Sequence, residues 1–191
     1  MDKKRSLSFL YNGLFIAAIL VILFVPPVKI MLIQGLMKIG LFRPNVSTAK
    51  ATGQLPAITL QYPDGSKAEL QNLKGKVIFI NFWATWCPPC VAEMPSINNL
   101  HQQLKADSNI VFLMIDVDHD FNRSGPFMRK HTFDLPLVQA NSSIPDELFG
   151  TAIPTTVIFN KAGKMVFRHE GMADYGGQEM AGYLKQLAKT K

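Results

Sequence analysis

The sequence NFWATWCPPCVAEMP, residues 81–95, contains the only two cysteines of the chain, Cys87 and Cys90. The apolar, β-rich run KVIFINFW leads into it, and such a run is typical of a buried central strand. The residues that follow, PPCVAEMPSINNLHQQLK, have helical character. The cysteine pair is therefore predicted to lie where a buried strand meets the start of a helix.

Two cysteines at this spacing serve either to bind a metal or to exchange disulfides. A structural zinc site needs two further Cys or His ligands in a paired motif, and the four histidines of this chain are scattered along it. Haem attachment needs a histidine directly after the second cysteine, where this chain has Val91. A structural disulfide that closes so short a loop would stabilise little. The pattern therefore predicts a redox-active pair.

The two cysteines are expected to differ in their roles. A helix N-terminus favours negative charge and lowers the pKa of a cysteine. Cys87, near the N-cap, is expected to be exposed and to attack a substrate disulfide. Cys90, one turn into the helix, is expected to be shielded and to resolve the mixed disulfide. Pro88 suits the first helical position, where its missing N–H costs little.

From residue 55 to residue 191 the sequence alternates between strand and helix patterns. Two short strand candidates, PAITLQY and SKAEL, flank the turn signal PDG and predict a β-hairpin. After the cysteine helix come a buried strand (NIVFLMIDV), a partly helical stretch (NRSGPFMRKHTF), one or two helical turns (IPDELFGT), a hairpin around KAG and an amphipathic helix (GGQEMAGYLKQLAK). The order indicates an α/β domain.

The N-terminal segment, residues 1–27, is predicted to be a cytoplasmic tip and a transmembrane anchor. Leu7–Val25 is a run of nineteen residues without a charge, about the length needed to cross a hydrocarbon core. Lys3, Lys4 and Arg5 precede it, so the N-terminus should stay in the cytoplasm and the domain should lie outside. A cleaved signal peptide is the alternative, but the run is long and no A-x-A pattern follows it.

Two segments connect this anchor to the domain. In residues 28–42, helical spacing puts Lys29, Gln34 and Lys38 roughly on one side, which favours an amphipathic helix lying in the membrane interface. The alternative is that this segment extends the anchor or packs on the domain. Residues 43–54 are polar and are interpreted as a tether.

Charge and acidic patterns argue against two classes of ligand. Residues 1–45 carry six Lys or Arg and one Asp. The rest of the chain carries fourteen Lys or Arg and thirteen Asp or Glu, so its charges nearly balance. The domain therefore lacks the excess charge of a nucleic-acid-binding face, and no nucleic acid is expected. In DVDHD, residues 116–120, aspartates alternate as in a calcium loop, but Phe121 replaces the required Gly and Phe127 the bidentate Glu. No metal is expected.

FWATWCPPC, followed by Pro95 and by the distant AIPTTVIF, resembles the thioredoxin superfamily. The anchor, the leading hairpin and CVAEMP resemble more narrowly the extracytoplasmic TlpA/ResA-type thiol-disulfide oxidoreductases, over residues 53–189. The resemblance implies a thioredoxin-like central mixed sheet flanked by helices, with an N-terminal β-hairpin extension and an N-terminal transmembrane helix. It also implies a cis peptide between Ile153 and Pro154.

The same resemblance implies an activity, the reduction of disulfides in protein substrates. Backbone groups of Ile153, next to Pro154, would hold an extended substrate chain beside Cys87. Trp86 and Pro88 would border that substrate-binding surface. No cofactor is implied beyond the redox-active disulfide itself.

The resemblance also implies partners and a location. An oxidised pair needs new electrons, so a transmembrane electron donor is expected. The protein would be a single-pass protein of the bacterial inner membrane with its catalytic domain on the periplasmic or extracytoplasmic side. Cytochrome c maturation, in which apocytochrome cysteines are kept reduced, is the best-known use of the family.

One departure from the thioredoxins concerns proton transfer. Thioredoxins carry a buried aspartate six residues before the first cysteine, and this chain has Asn81 there. The TlpA/ResA-type proteins carry a glutamate three residues after the second cysteine, here Glu93, on the helix face of Cys90. The resemblance implies that Glu93 accepts the proton of the Cys90 thiol. The alternative is a surface glutamate near a helix N-terminus.

Two other functions remain open from the sequence. A disulfide oxidase or isomerase would use the same cysteines, although the apolar Ile153 before the proline, as in reducing thioredoxins, favours reduction. A copper-binding chaperone would use both thiolates, but no obvious third ligand is present.

Overall fold

A seven-stranded mixed sheet, in the order β2-β1-β5-β4-β3-β6-β7, forms the centre of the domain. The computed structural model describes residues 2–38, 42–44, 53–150 and 152–190. The strands are β1 (Thr59–Gln61), β2 (Lys67–Glu69), β3 (Val77–Trp83), β4 (Ile110–Asp116), β5 (Leu137–Ala140), β6 (Thr155–Phe159) and β7 (Met165–Glu170). The pairings of β4 with β3 and with β5 are parallel, and the others are antiparallel. The predicted mixed sheet and its hairpin β1–β2 are confirmed.

The described residues form five α-helices in addition to the sheet. They are α1 (Asp2–Phe24), α2 (Pro26–Lys38), α3 (Pro88–Leu104), α4 (Phe121–Lys130) and α5 (Gln178–Lys189). Alternate residues of β3 face opposite sides, as in any strand. Phe79 packs in a core with residues of α3 and α5, whereas Ile80 packs in a second core on the other face of the sheet. Strand β3 is buried along its whole length because both faces and both edges are covered.

Strand β5 was not predicted. It has only four residues, it follows Pro136, and its polar Gln139 interrupts the apolar pattern. It pairs with β4 on one side and with β1 on the other, so it attaches the hairpin to the sheet. A strand this short is recognised by its partners, which lie far away in the sequence.

The expected one or two helical turns in IPDELFGT are present as a single turn, which does not extend into a regular helix. The N–H groups of Leu148 and Phe149 both donate to the carbonyl of Pro145, at 3.0 and 3.1 Å, and no helix continues from this turn. Pro145 and Gly150 flank the turn closely, so the segment is too short to propagate a helix. Residue 151, the last of the predicted segment, lies outside the described residues.

The N-terminal helices were expected to include a membrane anchor. Within the described residues, no helix combines the length and the hydropathy needed to cross a membrane. The predicted anchor also includes side chains at 2–10 and 23 that lie outside the described residues. Large exposed apolar side chains on the described part of α1 are Tyr11, Leu14, Phe15, Ile16, Ile19, Leu20, Val21, Ile22 and Phe24.

Helix α2 packs against α3, with Met37 buried. Residues 28–42 were expected either to lie in the membrane interface or to extend the anchor or pack on the domain. Helix α2 packs on the domain, and its contact with a membrane stays a prediction. Most of the predicted tether, residues 45–52, lies outside the described residues. Its last residue, Gln54, forms an isolated antiparallel bridge with Lys164, beside the turn that joins β6 to β7.

Candidate redox-active site

The two cysteines form a disulfide at the junction of β3 and α3, with their Cα atoms 5.3 Å apart. Strand β3 ends at Trp83, and α3 begins at Pro88, so Pro88 occupies the first helical position as predicted. Cys87 is the N-cap of α3, and its sulfur accepts the N–H of Cys90 at 3.2 Å. The predicted position of the pair, where a buried strand meets a helix, is confirmed.

The expectation that Cys87 is exposed is wrong for this disulfide form. Its exposed fraction is 2%, and Cys90 is fully buried as expected. The Cys87 sulfur turns inward to its partner and lies 3.8 Å from the carbonyl oxygen of Ile153. Ala84 and Ile153 pack in the same apolar cluster and cover it. The disulfide bond fixes the Cys87 sulfur toward Cys90, whereas a free Cys87 thiol could rotate toward solvent.

The segment before β6 lies directly over the disulfide. The peptide between Ile153 and Pro154 is cis, as the resemblance implied. Ile153 is half-buried and Pro154 is buried, whereas Trp86 is 59% exposed. The carbonyl oxygen of Ile153 therefore lies beside the Cys87 sulfur in space. The neighbours of Cys87 in the sequence are the exposed ring of Trp86 and the half-buried Pro88.

The orientation of Trp86 depends on a residue that sequence reasoning missed. Its indole Nε1 donates to Asp118 Oδ1 at 3.0 Å. The buried carboxylate of Asp116 accepts the N–H groups of Asp118 and Asp120, at 3.0 and 3.2 Å, and so shapes the loop after β4. The alternating aspartates thus build a loop beside the site. The only sequence signal was their place at the end of a strand predicted to be buried.

Glu93 is completely buried, so its interpretation as a surface residue is wrong. Its Oε1 accepts a hydrogen bond from Asn81 Nδ2 at 2.7 Å, and its Oε2 accepts the N–H of Ala173 at 3.0 Å. Asn81 Nδ2 also donates to Thr156 Oγ1 at 2.9 Å. The carboxyl group is therefore held between α3, two adjacent strands, β3 and β6, and the loop that precedes α5.

Burial raises the pKa of Glu93 to about 8, because a low-dielectric interior disfavours the charged form. The hydrogen bonds from Ala173 and Asn81 favour the carboxylate and oppose this shift. Burial, and secondly the nearby Glu93, raise the pKa of Tyr175 well above its usual value, so the phenol keeps its proton. Glu93 can therefore hold or release a proton near neutral pH.

The loop of residues 171–177 attaches to α3 at a second point. Ser96 Oγ donates to the carbonyl oxygen of Glu93 at 2.7 Å and accepts the N–H of Tyr175 at 3.1 Å. Sequence reasoning missed the contributions of Ser96 and Ala173. The loop contributes main-chain N–H groups here, and any non-proline residue can supply those.

Three comparisons place this chain among known proteins. The Redoxin family model matches residues 50–187. "Thiol-disulfide oxidoreductase ResA" of Bacillus thuringiensis is 30% identical over 125 residues, which cover 65% of this chain and 70% of the relative. ResA of Bacillus subtilis is 31% identical over 112 residues, covering 58% and 62%. A thiol:disulfide interchange protein of Chlorobium tepidum has the same fold, with a TM-score of 0.60 at 23% identity over 72% of this chain and 97% of that one.

Proposed function

Because the chain belongs to the Redoxin family, as a thioredoxin-fold protein of the ResA type, we propose that its cysteine pair reduces disulfides of protein substrates outside the cytoplasm. Thiol-disulfide oxidoreductase activity follows from the family and from the paired cysteines. One observation supports the assignment of roles. The Cys87 sulfur caps the N-terminus of α3 and faces the carbonyl of Ile153.

The reaction transfers two electrons from the protein dithiol to the substrate disulfide. The Cys87 thiolate attacks one substrate sulfur, the substrate S–S bond breaks, and one substrate thiolate leaves. The Cys90 thiolate then attacks the Cys87 sulfur of the mixed disulfide and releases the second substrate thiolate. The Cys87–Cys90 disulfide seen in the structure is the product state of this sequence.

Two features of the site suit Cys87 to the first attack. As the N-cap, its sulfur receives the N–H of Cys90, and this hydrogen bond stabilises a thiolate. The main chain of Ile153 lies beside the sulfur and can pair with an extended substrate chain. Trp86, exposed and fixed by Asp118, offers a flat apolar face at the rim of the same surface.

The assignment of the attacking thiol is tested by trapping. In the variant Cys90→Ser, the mixed disulfide has no resolving thiol, so a covalent complex of Cys87 with a disulfide-bonded peptide should accumulate. In the matched variant Cys87→Ser it should not form. Non-reducing electrophoresis and mass spectrometry of the complex measure both results, and trapping through Cys90 would reverse the roles.

Glu93 is proposed as the proton acceptor for Cys90. A buried thiol resists ionisation because desolvation raises its pKa. Asn81 cannot serve as a base, whereas Glu93 is buried on the same helix, three residues from Cys90. The Asn81 amide suits either state of the acid, since it donates to a carboxylate and, rotated, accepts from a carboxylic acid. A carboxyl group with a raised pKa matches proton transfer near neutral pH.

Replacing Glu93 with Gln should slow the resolving step by about 10²-fold near pH 8, the low end for a lost general base. The base form of Glu93 grows as pH rises through its pKa of about 8. The deficit of the variant should therefore shrink as pH falls, because Glu93 then carries its own proton. Stopped-flow measurement of the resolving step at pH 8 and at lower pH gives both the size of the deficit and its change with pH.

The exposed Glu179→Gln is the matched control for this change and should react like the parent protein. The double variant Asn81→Asp, Glu93→Gln moves the carboxylate to β3, at the position of the amide whose nitrogen lies 2.7 Å from Glu93 Oε1, and should recover part of the rate. Equal rates in Glu93→Gln and Glu179→Gln at every pH would remove Glu93 from the mechanism.

The direction of electron flow is proposed to be reduction, and the reduction potential of the pair decides it. We expect a value near that of thioredoxin, about −270 mV, in dithiothreitol or glutathione buffers. The apolar Ile153 beside Cys87 supports this direction. A value near that of a strong oxidant, about −120 mV, would instead indicate a disulfide oxidase.

Membrane attachment through α1 is part of the proposal. The charge-free run Leu7–Val25 and the exposed apolar side chains of α1 support it, and the basic residues before the run favour a cytoplasmic N-terminus. In a bacterial inner membrane this places the domain on the periplasmic or extracytoplasmic side. A transmembrane electron donor would then re-reduce the pair, and apocytochrome c cysteines are the substrates that the family resemblance suggests.

A membrane-impermeant protease tests this topology in spheroplasts. It should remove the domain from intact spheroplasts and release the fragment into the medium, because the positive residues keep the N-terminus inside. A cytoplasmic protein measured in the same sample should stay intact as the control. Complete protection of the domain would show that it faces the cytoplasm.

A further inference from the structure

The N-terminal segment contacts the domain beside the buried acid. The family match begins at residue 50, so α2 and residues 42–44 lie outside it. Helix α2 nevertheless packs on α3, with Met37 only 3% exposed, whereas Met31 on the same helix is 72% exposed. Pro44 is also buried. This segment therefore has a face that belongs to the domain.

The contact extends to the loop that holds Glu93. The N–H of Asp174 donates to the carbonyl oxygen of Phe42 at 2.8 Å. Asp174 stands between Ala173, whose N–H binds Glu93, and Tyr175, whose N–H binds Ser96 of α3. Three consecutive N–H groups thus connect one loop to the N-terminal segment, to the buried acid and to α3.

We propose that α2 and residues 42–44 form a brace that holds the loop of residues 171–177 against α3 and keeps Glu93 out of water. Met37 and Phe42 are the positioning residues of this brace. The consequence for catalysis rests on the proposed role of Glu93, whereas the brace itself concerns only the loop and the burial of the acid.

A cavity between the brace and the domain shows how close water can come. It has a volume of about 490 Å³, and its polar lining includes Gln34, Arg43, Ser96, Asn99 and Asp174. A cavity of this size has room for water, and these polar groups can bind it. Ser96 lines this space, and its hydroxyl group donates to the main-chain carbonyl of Glu93 one turn earlier on α3. If the loop moves away, this water gains a route to the Glu93 carboxyl.

Because few titratable groups surround Glu93, the pKa of its carboxyl group should report the effect of the brace on its burial. The titratable group that faces it is Tyr175 from the loop, whereas Cys90 on its own helix is held in the disulfide, and Asn81 and Thr156 from the sheet are neutral. On the brace side, Arg43 and Asp174 line the cavity. Burial is the largest cause of the raised pKa of Glu93. Opening the brace should therefore lower the pKa of Glu93 toward the ordinary value of a glutamate.

The test uses the full chain in detergent micelles and the variant Met37→Ser. Serine removes the buried thioether without adding a charge, so any change in Glu93 comes from solvation. The exposed Met31→Ser is the matched control on the same helix, and Met37→Leu, which keeps the apolar contact, should restore the parent behaviour. Amide exchange at Ala173 and Tyr175 reports the loop, and carbon NMR of the carboxyl reports Glu93.

In Met37→Ser we expect exchange at these two amides to rise by about 10-fold, as a local contact is lost. The titration midpoint of Glu93 should fall by about one pH unit. Identical exchange in Met37→Ser and Met31→Ser would overturn the brace, and so would faster exchange with an unchanged Glu93 midpoint. Neither readout requires turnover. A normal rate in Glu93→Gln would therefore refute the catalytic role alone and leave the result for the brace intact.

Discussion

The burial of the Glu93 carboxyl is the constraint on which the site depends. A carboxyl group removed from water is costly unless its oxygens find hydrogen-bond donors. One donor comes from Asn81 on the central strand and the other from Ala173 in the loop before α5. The redox helix, the sheet and that loop are therefore held together at one point, three residues after Cys90 on α3. The same burial that demands these partners raises the pKa of the acid.

The rest of the site follows from the ends of three neighbouring strands. Strands β3 and β4 are parallel, so their carboxyl ends meet at one edge, and Trp83 pairs with Asp116 there. The loop after β3 leads to the disulfide, and the loop after β4 brings Asp118 to Trp86. Strand β6 is antiparallel to β3, so its beginning lies at the same edge, and the segment before it brings the carbonyl of Ile153 to Cys87. Loops on a rigid sheet thus supply the groups that are proposed to contact substrate.

Local patterns predicted the elements that are long or buried on both faces. Strands β3 and β4 are continuous apolar runs, and α3 and α5 show helical periodicity, so their type was evident from the sequence. Strand β5 was missed because four residues carry too little pattern. The single turn that begins at Pro145 was predicted, but whether a second turn follows it could not be read from composition.

The sequence by itself indicated the residues of the site: Cys87 and Cys90 at the N-terminus of a helix, the distant Pro154, and Glu93 on the same helix face as Cys90. Helix geometry relates Cys90 to Glu93 directly, whereas the parts of Pro154 and of Glu93 in the site came from the resemblance to a known family. Only the tertiary structure decided that Cys87 is covered by Ile153 and that Glu93 is enclosed by a loop eighty residues away. Burial is a property of packing, and the donors that satisfy a buried group are often main-chain N–H groups, which leave no mark on the sequence.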